Sequence, residues 1–111
     1  MRNIFKMGLL VILGGTAMLT WSGAAAADQG QTIFNDKCVP CHGEKGDGKG
    51  PIASNFSHHP GNFNDAKFWQ GDVNKKIADA VTNGKDQMIP VDLKPDEIKA
   101  VTEYINKTFK K

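Results

Sequence analysis

Two cysteines stand three residues apart, and a histidine follows the second, in the run Cys38-Val39-Pro40-Cys41-His42. On a helical turn, positions i, i+3 and i+4 share a face, so both thiols and the imidazole project together. Thiols at that spacing can add across two vinyl groups on one edge of a porphyrin, while the adjoining imidazole takes the iron from one side. C-x-x-C-H is the attachment signature of a c-type haem. Three other chemistries use a C-x-x-C pair, and each fits less well. A thioredoxin-like dithiol wants a surrounding β-α-β pattern that is missing here. Half of a zinc site needs two more ligands, and only the adjacent His58 and His59 remain. A disulfide across two residues would close too short a loop to staple much. The motif occurs once, so one haem c is expected, covalent through Cys38 and Cys41.

The elements that must position this motif come after a leader. Arg2 and Lys6 give a positive start, an apolar run from Met7 to Leu19 follows, and Ala24-Ala25-Ala26-Ala27 precedes Asp28. Those three regions predict a secretory signal peptide over residues 1–27, cleaved before Asp28. An uncleaved anchor is the alternative, but the apolar run is short of the ~20 residues that span a bilayer. No cysteine directly follows the run, which argues against a lipid anchor.

Cleavage leaves 84 of the 111 residues, enough for one small domain over 28–111. A domain of that size buries only about 60–65% of its unfolded surface. A haem supplies the missing apolar plate, and the haem-free chain is expected to be largely unfolded. The formal charge of +2 comes from Arg2 and Lys6; beyond them, 12 lysines balance 12 Asp plus Glu. A basic nucleic-acid footprint is therefore absent. Export and haem attachment agree, because the attachment chemistry belongs outside the bacterial cytoplasm. The expected location is the periplasm, with no stable membrane insertion after cleavage.

Gln31 to Cys38 reads as a first helix, with Gly30 near its start and Ile33 and Phe34 as apolar positions; it should end around His42-Gly43. Four glycines among charges make 43–50 a loop. The chain from 51 to 61 reads as irregular wrapping, and a short helical turn is expected over 64–69. Asp72 caps a helix over 73–82 with Ile77, Ala80 and Val81 inward, closed by Asn83-Gly84. A loop then carries Met88 and Pro90. The last helix opens at Pro95 with Asp96 and Glu97 at its positive end. Ile98, Val101, Tyr104 or Ile105, and Phe109 recur at helical spacing. No strand pair is visible, so the fold class is all-α, three to five helices with long loops wrapped around one covalent haem.

At this point the chain resembles class I cytochromes c of the monohaem, bacterial periplasmic type. The likeness rests on Cys38-Val39-Pro40-Cys41-His42-Gly43, on Gly50-Pro51, on Asn83-Gly84-Lys85-Asp86-Gln87-Met88-Ile89-Pro90, and on a first helix with Phe34 and a last with Tyr104-Ile105. The resemblance implies axial ligation of the iron by His42 and Met88, and a His42 ring held by the Pro51 carbonyl. Beside the likeness, Met88 is the only methionine after the leader, in a loop with neither helical nor alternating periodicity. A buried methionine is more often core filler. His58 or His59 is the rival sixth ligand, and an open sixth site is a third reading. Trp69 could give its indole N–H to a propionate, or simply pack with a wet edge. The stretch from Ser54 to Asp72 departs from the best-known members, so no propionate contact carries over there. Lysines 45, 49, 75, 76 and 85 could ring a haem edge, diluted by Asp47, Asp72 and Asp86.

The expected function is a periplasmic shuttle moving single electrons to and from redox partner proteins, monomeric by default. No paired carboxylates or serine–histidine motif suggests catalysis. The alternatives are a haem enzyme or gas sensor with an exchangeable sixth ligand, and a cytochrome subunit of a larger oxidoreductase.

Overall fold

The computed structural model describes residues 24–111, together with Gly14 and Gly15. The leader expected over residues 1–27 lies almost wholly outside them. Helix α1 (Ala24–Ile33) runs through a π-helical stretch (Phe34–Cys38) into the short α2 (Val39–His42). Helix α3 spans Val73–Asn83 and α4 spans Pro95–Phe109, with 3₁₀ turns at Ala53–Asn55 and Ala66–Trp69. Among the described residues there is no strand, only an isolated antiparallel pairing of Lys85 with Met88. The expected all-α class holds.

The first helix departs from expectation at its start. It begins at Ala24 rather than Gln31, and Gly30 sits inside it, buried. The reason is tertiary. A Cβ on Gly30 would stand 2.2 Å from the Ala100 carbonyl oxygen and 2.9 Å from the Tyr104 Cβ. Gly30 is thus the point where α1 passes α4 backbone to backbone, not a helix-start signal.

The core grows from that crossing. Phe34 and Val101 are fully buried, and Ile33, Phe63, Val73, Ile77, Val81, Ile105 and Phe109 join them in one cluster. The Phe34 ring lies 5.3 Å from Tyr104, 5.4 Å from Phe109 and 6.2 Å from Phe63, all within the range where tilted aromatic pairs attract. Of the two expected α4 positions, Ile105 is buried and Tyr104 half-buried. Ala80 of α3 is also half-buried; Val73 takes the third inward place beside Ile77 and Val81.

Local chemistry fixes the helix ends. Asp72 Oδ1 accepts from the Lys75 N–H at 3.1 Å, satisfying one orphan donor of α3. Glu97 Oε1 accepts from the Lys94 N–H at 2.9 Å at the start of α4, behind Pro95. A side-chain bond from Asn106 Nδ2 to Asn74 Oδ1 (2.9 Å) ties α4 to α3.

Candidate functional site

The π-helical stretch leads directly to Cys38. Such stretches insert one extra residue per turn and are frequent at functional sites. Here it keeps Phe34 fully buried while Asn35, Asp36 and Lys37 stay exposed, and Cys38 emerges half-buried against the core. Pro40 stands in the first turn of α2, where its missing N–H costs nothing. Gly43 ends the helix at φ +82 and ψ 156, a positive-φ break with extended ψ rather than the left-handed helical cap expected.

The glycine loop then folds back over the end of α2. The N–H groups of Gly43, Gly48, Gly50 and Ile52 donate to the carbonyls of Val39 (2.9 Å), His42 (2.8 Å), Cys41 (3.0 Å) and Pro40 (3.0 Å). Those are the four carbonyls of α2, which a helix end leaves without partners. The loop therefore seals the backbone of the Cys41-His42 turn and leaves the side chains to act.

Both cysteines are free thiols and half-buried. Burial pushes the Cys38 thiol up to about 11, with nearby Cys41 adding to the rise; burial also raises Cys41. His42 Nδ1 lies 3.0 Å from the Gly61 carbonyl oxygen, so the ring donates there, which in the neutral imidazole assigns the lone pair to Nε2. Burial lowers the His42 pKa and the Gly61 bond opposes the shift, the burial being the larger effect. A neutral imidazole with one oriented lone pair is the metal-ligating form. Its ring stacks on buried Phe63, with centroids 4.8 Å apart and planes at 18°.

One expectation for the surroundings is corrected, and one open choice is narrowed. The Pro51 carbonyl is not the acceptor for His42; the loop beyond it returns the Gly61 carbonyl to the ring across 19 residues. Pro51 itself is exposed, beside the turn in which the Ile52 N–H reaches back to Pro40. The Trp69 indole is also engaged elsewhere, giving its Nε1–H to the Phe63 carbonyl at 2.8 Å. That bond shapes the 3₁₀ turn beneath Phe63, and it leaves no free donor for a propionate.

Met88 is half-buried and packs against the same apolar cluster as Cys38, and Phe63 of that cluster carries the His42 ring. Its loop is a tight turn: Lys85 and Met88 exchange N–H···O bonds of 3.0 and 2.8 Å, with Asp86 at φ +52 between them. The Val91 N–H to the Val81 carbonyl (2.8 Å) returns the loop to α3. His58 and His59 are exposed. Among the expected lysines, Lys75 pairs with Asp79 at 2.7 Å. Lys76 donates to the Phe68 and Gln70 carbonyls at 2.8 and 3.4 Å, leaving Lys45, Lys49 and Lys85 exposed.

Sequence reasoning missed Gly61 and Phe63. A backbone acceptor carries no side-chain signal, so Gly61 had none. Phe63 offered one, an isolated aromatic inside a polar stretch.

The residues suit a c-type haem: two reduced thiols on one helical face, a neutral imidazole beside them, and no competing cluster. Among the described residues no three His, Cys, Asp or Glu side chains converge as a metal site of their own. Fold and donor set define a small all-α haem-attachment domain. The family model for cytochrome c matches residues 27–109, and the chain belongs to that family. It is 34% identical over 93 residues to the Cbb3-type cytochrome c oxidase subunit FixP of Azorhizobium caulinodans, covering 77% of this chain and 30% of that protein. Its fold is similar to a chain of the Kuenenia stuttgartiensis reducing HAO-like protein complex, with a TM-score of 0.61 and 24% identity over 73% of this chain and 41% of that one. The chain thus spans under half the length of either. As a cytochrome c it carries covalent haem c and serves haem-based electron transfer.

Proposed function

We propose that residues 28–111 form a monohaem periplasmic electron carrier, released from a signal peptide at 1–27, whose haem is bonded through Cys38 and Cys41 with His42 and Met88 as axial ligands. The observation that carries this reading is the His42 ring, anchored through Nδ1 to the Gly61 carbonyl directly after two cysteines that form no disulfide. When bound, the haem supplies a one-electron iron couple; every other task falls to the chain. Cys38 and Cys41 fix the macrocycle along one edge. Gly61 and Phe63 prevent His42 from turning, which keeps its ligand geometry constant between oxidation states. Met88, a thioether without a proton to lose, binds from its loop, and a His/Met pair raises the potential relative to other ligand sets. The apolar cluster under Cys38 and Met88 excludes water. Among the described residues no helix is long and apolar enough to cross a membrane.

The oxidised holoprotein is expected to be low-spin, with the weak far-red band of an iron–thioether bond, and Met88→Ala should abolish that band. A high-spin spectrum with rapid carbon monoxide binding to the reduced protein would instead establish the exchangeable sixth site of an enzyme or sensor.

A second reading has its own support. Both relatives are named as parts of larger assemblies, and this chain matches only a portion of each. The domain would then pass electrons as one subunit of an oxidoreductase, recognised by a second polypeptide that stays with it through native purification.

A further inference from the structure

The Met88 loop is held on one flank by backbone bonds to α3 and on the other by a single side chain. Gln87 is exposed, at the third position of the Lys85–Met88 turn, yet its amide uses both ends. Its Oε1 accepts from the His58 N–H at 3.3 Å, and its Nε2 donates to Ser57 Oγ. Among the described residues, every side-chain hydrogen bond from the 84–93 loop to another part of the chain comes from Gln87. The partners lie 29 and 30 residues away, in a loop rich in exposed residues and lacking helical length. That loop also ends at Gly61, whose carbonyl holds the His42 ring.

We propose that Gln87 is the positioning residue of the Met88 loop, clamping it to Ser57-His58 and so setting how often Met88 leaves the iron. The proposal rests on Met88 being the sixth ligand. The physical reasoning is a population shift. An outside ligand reaches the iron only when the Met88 loop has opened, so its apparent affinity scales with the open fraction. Losing an exposed pair of hydrogen bonds changes such an equilibrium by roughly fivefold to tenfold. The amide's two ends matter because they seize a backbone N–H and a hydroxyl at once, which resists sliding of one loop past the other.

The test titrates oxidised holoprotein with imidazole, following loss of the far-red band. Gln87→Ala is expected to bind imidazole about fivefold to tenfold more tightly than the native protein. Ser57→Ala should give part of that gain, and little more when added to Gln87→Ala. Asn106→Ala, which breaks an equally local side-chain bond between α3 and α4, should leave imidazole affinity unchanged whatever it does to the melting temperature. If Gln87→Ala binds imidazole as the native protein does, or if Asn106→Ala matches its gain, the clamp is refuted. Failure of the underlying ligation looks different: with no other methionine beyond Met18, the native protein would then show no far-red band, and Met88→Ala would bind imidazole as the native protein does.

Discussion

Replacing Gly30 by alanine pits local propensity against tertiary contact, and the two give opposite signs. In an open helix the change should stabilise by about 0.8–1.0 kcal/mol, because alanine loses less backbone freedom than glycine. Here the new methyl would stand 2.2 Å from the Ala100 carbonyl oxygen and 2.8 Å from its carbonyl carbon. Ordinary carbon–oxygen contact needs α1 and α4 to separate by roughly 1 Å, and a close-packed interior transmits that displacement rather than absorbing it. Overpacking of this kind costs typically about 1–3 kcal/mol, and backbone against backbone belongs at the upper end. The Phe34 contacts with Tyr104 and Phe109 lie across the same interface and would loosen with it. The net expectation is a loss of about 1–2 kcal/mol after the propensity gain is subtracted. For a domain of this size that is about 4–8 °C of melting temperature per kcal/mol. Thermal unfolding of holoprotein followed by far-ultraviolet circular dichroism reads it. A raised melting temperature in Gly30→Ala would refute the close crossing of α1 and α4.

Two further outcomes follow from the core and from the thiols. Phe34→Ala should cost about 3–5 kcal/mol in denaturant unfolding of the holoprotein, since a fully buried ring with three aromatic neighbours leaves a cavity; a loss below ~1 kcal/mol would show that haem, not the aromatic cluster, holds α1 to α4. Were the haem-free chain to keep this fold, burial would raise the Cys38 thiol to about 11, and it would alkylate only slowly at mild pH and faster as pH climbs toward that value. If folding depends on haem, the haem-free chain should instead alkylate with an ordinary thiol midpoint near pH ~8.5; a profile shifted toward the higher value would show that the fold forms without the cofactor.

Reduction of the site to its donor atoms was possible from spacing alone. Cys38, Cys41 and His42 are neighbours along one helical face, so their meeting is dictated by the geometry of a single turn. The ends of α3 and α4 were equally legible, because Asp72, Pro95 and Glu97 act on amides within three residues of themselves. Met88 stood out by being the lone methionine beyond Met18, although spacing said nothing about where its loop would lie.

What lay beyond reach were partners far apart in the chain. The His42 acceptor is a carbonyl, which every residue owns, and only the return of the 51–61 loop selects Gly61 over Pro51. The same reason left Trp69 open between two readings, and its indole found the Phe63 carbonyl. Gly30 looked like a helix boundary because a missing side chain signals either a break or a close approach, and the packing of α4 against it decides which. Local order along this sequence thus follows from hydrogen bonds that close within one turn, whereas the choice among equivalent backbone acceptors waits for chain segments to collapse onto a shared apolar cluster.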